Sequence, residues 1–352
     1  MKPMNVLSHW PAMIAPVERF RASNPRECTT YRWLPSTVCL LLALTPGLPL
    51  QAETVYVTLE KDNALAVVDG QRGILQKTVK IGKRPRGLAA SQDGRLLYVA
   101  TSDDDTLVVV DRASLKVLAR LPSGEDPETF ALSVDERRMF VSNEDDNQIT
   151  VVDLATRQSI RQIPVGVEPE GIATSPDGQW LISTSETTNM AHWIRLPELT
   201  VVDNTLVDPR PRACVFTADS QQLWISSEMA GNVSILDVAT RQIIKKLDFR
   251  IPGVTAEKIQ PVGMMIDRNR RYAYVALGPA NRVAVIDAQK LVVVDYILVG
   301  QRVWNLAFSP DGKALYTTNG LSNDITRIDL DSHKAVKSIA VGQSPWGVVV
   351  LP

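Results

Sequence analysis

Residues 82–101 read GKRPRGLAASQDGRLLYVAT, residues 166–185 read GVEPEGIATSPDGQWLISTS, and residues 300–319 read GQRVWNLAFSPDGKALYTTN. The three stretches repeat nearly everything except one position, which is Arg86, Glu170 or Trp304. Such self-similarity is the mark of a repeat architecture. Aligning on the aspartate that closes an apolar run gives Val67-Val-Asp69, Val109-Val-Asp111, Val151-Val-Asp153, Ile235-Leu-Asp237, Val285-Ile-Asp287 and Arg327-Ile-Asp329. The spacings are 42, 42, 84, 50 and 42. The 84 is two periods, with the intervening copy ending at Ile194-Arg195. The chain therefore holds seven units of about 42 residues, one of them 8 residues longer.

Within a unit, short β-branched apolar runs separated by turn residues predict four strands. In the second copy they fall at residues 87–91 (a), 96–101 (b), 106–111 (c) and 116–121 (d). Asp93-Gly94 forms the a–b turn, with equivalents at Asp135-Glu136, Asp177-Gly178, Asp219-Ser220 and Asp311-Gly312. Four strands per unit, seven times over, predict an all-β, seven-bladed β-propeller. An open β-solenoid is the competing architecture. The ends decide between them. Residues 54–58 begin at strand b, with no strand a before them, and residues 345–351 form a strand a with nothing after it. The complementary defects predict a ring whose C-terminal strand completes the first blade, leaving no bare edges.

The formal net charge is -1, with 45% hydrophobic residues. That balance is globular, and it gives no electrostatic reason to expect nucleic acid as a partner. Residues 1–52 differ from the rest. Arg26 and Arg32 precede an apolar run at residues 38–44, and Leu50-Gln-Ala52 offers a small-residue cleavage site. This is the order of a secretory signal and predicts a periplasmic protein. The run is too short for a membrane span. The stretch before Arg26 raises the question of the true start codon. The division is then 1–52 as leader and 53–352 as propeller. Cleavage after Ala52 would leave 33 basic against 37 acidic residues and Cys214 as the sole thiol, so no internal disulfide could form.

In a propeller, strand a lines the central channel, and hairpin alternation places the d–a and b–c loops on one face. The variable position enters strand a from that face. Its seven copies, Arg86, Glu128, Glu170, Arg212, Val262, Trp304 and Trp346, are expected to ring one channel mouth. The scaffold must repeat because blades pack on one another, whereas the mouth packs on nothing fixed. The arginines could take carboxylates in bidentate forks, and the indoles could stack on a flat ring system. The bland alternative is that Arg and Glu neutralise one another while the tryptophans plug the channel. A second ring on the same face, nine residues before each closing aspartate, comprises Glu60, Ser102, Glu144, Glu186, Glu228, Gly278 and Gly320. Its four glutamates are oxygen ligands of the kind Ca2+ takes, or they are solvated channel carboxylates. The extra residues, around 250–258, lengthen a d–a loop and so would overhang this mouth as a lid or docking knob, or as a neutral insertion. His192, expected in a b–c region, is either a packed residue or a candidate ligand. The sequence offers no Cys-x-x-Cys-His, no zinc-spaced cluster and no Gly-x-Ser-x-Gly.

Tyr56-Val-Thr58, Tyr98-Val-Ala100, Phe140-Val-Ser-Asn143 and Tyr316-Thr-Thr-Asn319, each followed by a Val-Val-Asp-like strand, resemble the YVTN-type β-propeller repeat over residues 54–351. One unit, with Leu181-Ile-Ser-Thr184, departs from those letters. With PRG, PEG and PWG strand entrances, the chain is most similar to β-propeller proteins associated with pyrroloquinoline quinone (PQQ)-dependent alcohol catabolism. That resemblance implies a periplasmic accessory role beside a quinoprotein dehydrogenase, a c-type cytochrome and a transport system, and supplies no catalytic residues. PQQ, a small anionic aromatic molecule, is the ligand it suggests for the arginines and indoles. Two alternatives remain: a propeller lactonase using Glu144, Glu186 and His192, and a docking scaffold without a small ligand.

Overall fold

The computed structural model describes residues 53–196 and 198–352. The expected secretory leader lies outside the described residues. Seven four-stranded antiparallel sheets form the blades of a propeller. Blade 1 combines Thr54–Leu59, Ala64–Asp69 and Ile74–Lys80 with the C-terminal Pro345–Leu351, so the ring closes as the chain ends predict. Blades 2 to 7 occupy residues 85–122, 127–164, 169–206, 211–248, 264–298 and 303–340. Each innermost strand touches those of both neighbouring blades, completing the circle. No helix among the described residues is long and apolar enough to cross a membrane.

The expected strands b and c of blade 2, Leu96–Thr101 and Thr106–Asp111, stand as read. Strand a, Pro85–Ala90, begins two residues earlier than expected, at a proline whose missing N–H is harmless at a strand's first residue. Strand d runs Val117–Pro122, one residue later than expected.

The recurring aspartates are turn-builders. At the a–b turn, Asp93 Oδ1 accepts from Ser91 Oγ (2.7 Å) and Arg95 N (3.0 Å), and the same pattern recurs at Asp135, Asp219 and Asp311. The next residue is left-handed whether it is Gly94 (φ 66°), Glu136 (52°) or Ser220 (58°). At the c–d turn, Oδ1 of the closing aspartate accepts the N–H three residues on, as in Asp111 with Ser114 (2.8 Å) and Asp153 with Thr156 (2.7 Å).

The apolar core divides into seven clusters, one between each pair of neighbouring blades. This is why the period must repeat: each unit buries its sheet faces only against the next. The insertion is part of that packing. Phe249 and Ile259 are buried in the cluster between blades 5 and 6, and Ile251 and Val254 pack against it. Arg250 N donates to Tyr296 Oη at 3.0 Å. The segment is folded down onto the blades, and a lid reading gains nothing from it.

Candidate functional site

Pairing between strands a and b slips where strand a enters the ring. The register breaks between Pro85 and Leu88, Pro127 and Phe130, Pro169 and Ile172, Pro211 and Cys214, and Val303 and Leu306. The variable residue and its successor are thus left out of the backbone ladder, as in a β-bulge. A hydroxyl from strand b repairs the gap. Gly171 N donates to Thr184 Oγ1 (3.0 Å), which donates to the carbonyl of Arg212 in the next blade (3.1 Å). The same link runs Gly347 N to Thr58 Oγ1 to Arg86 O, Ala213 N to Ser226 Oγ to Val262 O, and Asn305 N to Thr318 Oγ1 to Trp346 O. This is the role of the threonine in the YVTN repeat. The unit that departed from those letters retains it: its registered residues are Ile182-Ser183-Thr184-Ser185, paired to strand c in step with the others. The variable residue's backbone is locked while its side chain is left to vary.

A clasp holds the loop before it. The residue two positions earlier has positive φ in six blades: Arg84, Asp126, Glu168, Arg210, Arg302 and Ser344. Its N–H donates to a side chain in the preceding blade, as Arg84 to Asn63 Oδ1 (2.9 Å) and Arg210 to Asn189 Oδ1 (3.0 Å). Its carbonyl accepts from the second ring, as Arg84 O from Ser102 N (3.1 Å) and Arg210 O from Glu228 N (2.8 Å). The d–a and b–c loops therefore share one face, as expected.

Two ion-pair clusters fill the mouth. In the first, Arg86 binds Glu128, and its Nε lies 3.2 Å from Glu60 Oε1. Arg84 reaches Asp126 (2.8 Å), Glu128 (3.1 Å) and Glu60 (3.4 Å). In the second, Arg212 holds Glu170 (2.6 Å) and Glu186, with Glu228 at 3.7 Å. Arg210 lies 2.7 Å from Glu186, and Arg302 lies 3.1 Å from Glu228. Arg302 also donates to Gln260 at the end of the insertion (2.8 Å). The indoles carry guanidiniums as well: Arg86 lies 5.8 Å from the centre of Trp346, and Arg302 4.3 Å and Arg212 5.8 Å from that of Trp304.

The structure brings Arg86, Glu128, Glu170, Arg212, Trp304 and Trp346 together with Glu60, Glu186 and Glu228. It adds Arg84, Asp126, Arg210 and Arg302, which sequence reasoning missed. Their signal was available: they stand two residues before the variable position and vary in charge as it does. His192 stands apart, in strand c (Met190–Arg195) rather than in a b–c loop. Its Nε2 accepts from Gly166 N (2.9 Å) and contacts Ser185 Oγ (3.0 Å), while Nδ1 contacts Asn204 Oδ1 (2.6 Å). Both nitrogens are committed to Ser185 and Asn204 in the blade and to Gly166 in the connection before it, and burial lowers the pKa.

Burial pushes Glu170 well above the usual carboxylate range, against Arg212 and with Glu186 adding to the rise. Burial and the nearby Glu170 also raise Glu128, despite Arg86. Burial and Glu128 push Glu144 up to about 7. Burial pushes the Cys214 thiol up to about 12, leaving it inert at neutral pH. Acceptor atoms of Asp126, Glu128 and Glu144 lie within 4.8 Å of one another. As a Ca2+ site this set fits poorly: Arg84 takes both oxygens of Asp126, and Arg84 and Arg86 take those of Glu128.

Beneath the second cluster lies a pocket of about 100 Å³, lined by Glu170, Arg212, Trp304, Asn305, Trp346 and neighbouring small and apolar residues. Glu170 Oε2 and Trp346 Nε1 are buried there without a hydrogen-bond partner. Each such group costs about 1–3 kcal/mol.

A closed ring of seven four-stranded antiparallel blades defines a seven-bladed β-propeller, here with two ion-pair clusters at one mouth. The chain belongs to the YNCE-like beta-propeller family, which it matches over residues 65–253 and 256–352. Among curated proteins none matches it. Solved structures share the fold. The Pseudomonas aeruginosa periplasmic gluconolactonase PpgL is 18% identical, with a TM-score of 0.73 over 85% of this chain and 99% of that one. Hydrazine synthase of Kuenenia stuttgartiensis is 21% identical, with a TM-score of 0.72 over 78% and 92%. The dihydro-heme d1 dehydrogenase NirN is 17% identical, with a TM-score of 0.64 over 84% and 74%.

Proposed function

We propose that this protein is a periplasmic, non-enzymatic binding propeller with an accessory role, taking its ligand at the channel mouth. The observation that carries the reading is the pair of buried, unpartnered polar atoms on one pocket, Glu170 Oε2 and Trp346 Nε1. The scaffold ties the mouth carbonyls of Arg86, Arg212, Val262 and Trp346 to hydroxyls and leaves these two pocket atoms unmet, as a ligand site does. The resemblance to the PQQ-associated subgroup supports the accessory setting. PQQ itself fits poorly, because the arginines its carboxylates would need are already held by Glu128, Glu170 and Glu186. A dehydrogenase, cytochrome or transporter partner would meet the same face, where Met229 and Leu321 stand 73% and 68% exposed on the b–c loops.

The second reading, a lactonase, draws on Glu144. Its carboxyl, partly exposed and raised to about 7, could carry a proton at neutral pH. Against it, Glu186 is tied to Arg210 and Arg212, and His192 is held inside its blade. The test is tryptophan emission during titration with PQQ and with glucono-1,5-lactone, alongside a hydrolysis assay with and without calcium. Saturable quenching without turnover supports binding. Hydrolysis above the spontaneous rate that disappears in Glu144→Gln overturns it.

A further inference from the structure

We infer that the mouth pocket takes a neutral, hydroxyl-bearing ring, the chemistry of a single sugar or cyclitol. The inference rests on the binding reading above and names the ligand class for the same site. Three features of the pocket converge on it.

The first is charge. Arg210, Arg212 and Arg302 are each held by Glu170, Glu186 or Glu228, so the second cluster leaves neither a free guanidinium for a ligand anion nor a free carboxylate for a ligand cation. A ligand carboxylate would join three others around Arg212, and a ligand cation would face its guanidinium. A neutral ligand meets neither penalty. The second is hydrogen bonding. The unmet pocket groups are a carboxyl oxygen, Glu170 Oε2, which accepts when ionised and can donate when it carries the proton, and one donor, Trp346 Nε1. A hydroxyl can serve either, and a ring bearing several can serve both. The third is shape. Trp304 and Trp346 supply indole walls, the flat apolar faces on which the C–H face of a sugar or cyclitol ring stacks. Gly320 fits the same picture: a Cβ there would lie 2.6 Å from Trp304 Nε1, so the bare backbone lets that indole lie where it does.

The test is emission quenching and calorimetry of the purified protein with D-glucose and myo-inositol. Gluconate, tetramethylammonium and PQQ serve as charged comparisons. A ligand of about a dozen heavy atoms held by so few groups should bind with a dissociation constant of about 1 mM. Gluconate and tetramethylammonium should bind at least ~10-fold more weakly. Glu170→Gln should weaken the neutral ring ~10-fold, and Trp346→Phe, which keeps the aromatic wall and removes the N–H, several-fold. Thermal unfolding of both variants checks that the ring still closes. Tighter binding of either small ion than of the neutral rings overturns the inference, as does neutral-ring affinity unchanged in both variants. PQQ binding without neutral-ring binding sinks the ligand class and leaves the mouth-binding reading standing. No response to any probe sinks both.

Discussion

Gly171→Ala tests the physical reason for the repeated strand entrance. A Cβ built on Gly171 would lie 2.0 Å from the carbonyl oxygen of Arg212 and 2.5 Å from Thr184 Oγ1. Carbon–oxygen contacts settle at about 3.3 Å, so the Arg212 carbonyl must retreat by about 1 Å. That retreat breaks the Thr184 hydrogen bond to it, now 3.1 Å, and leaves a buried acceptor unmet. Overpacking costs about 1–3 kcal/mol and the lost bond another ~1–3, so a loss of about 3–5 kcal/mol is expected. Urea unfolding followed by circular dichroism measures it. Gly253→Ala is the control, because nothing lies within 4 Å of its Cβ and only its φ of 76° resists substitution, at about 1 kcal/mol. The same contact is 2.4 Å at Gly347 and 2.9 Å at Gly87, so the losses should fall in that order. A loss at Gly171 no larger than at Gly253 would refute the close-approach argument.

Three further outcomes are expected. For Glu144, whose folded pKa of about 7 exceeds its ordinary value, the stabilising protonated form is fully present below about pH 4.5 and lost as pH rises through 7. Glu144→Gln should therefore match the parent near pH 4.5 and exceed it by about 1–2 kcal/mol at pH 8, after allowance for solvent screening; thermal melts at both pH values check this. Arg212→Met should cost about 3–5 kcal/mol by stranding Glu170 and Glu186, and the loss should shrink as pH falls, because burial favours the protonated form of Glu170; a loss independent of pH in denaturant titrations would count against the pairing. His192→Ala should destabilise by about 2–4 kcal/mol, since the Gly166 N–H and Asn204 lose their partner. It should leave ligand-induced fluorescence changes intact, and their loss would return His192 to the binding site.

Most of the fold was legible because its cause is periodic. The 42-residue step, the closing aspartates and the mismatched ends each follow from one blade packing on the next. The misread strand a follows from the bulge: the slip between Pro85 and Leu88 hides the strand's first pairing from any alternation pattern. Where the insertion rests is not legible in the sequence for a different reason. Its position fixes which loop it lengthens, but Phe249 and Ile259 decide where it lies, and their burial depends on a gap between blades 5 and 6 that no single segment reveals.

The variable position is legible in the sequence, which leaves open whether its arginines face a ligand or one another; the ion pairs join them to carboxylates of the same ring. In a closed ring, the residue one period away is the nearest neighbour on the same level. Arg84 and Asp126 are 42 apart, as are Arg86 and Glu128, and each pair is joined. Glu170 and Arg212 stand in the same relation with the signs reversed. Opposite charges at that spacing satisfy one another, and each pair neutralised in this way is removed from the ligand's reach. The groups left for recognition are those whose neighbour one period on cannot complete them. Trp346 is followed around the ring by Arg86, which meets the face of its indole and not its N–H. Glu170 has two oxygens, and Arg212 takes only one. The position varies because the bulge frees its side chain from packing, but variation alone does not make a residue available. What the ring leaves unpaired is smaller than the list of variable residues: Glu170 Oε2 and Trp346 Nε1 on residues that line the pocket, and Glu228 Oε2 in the second cluster.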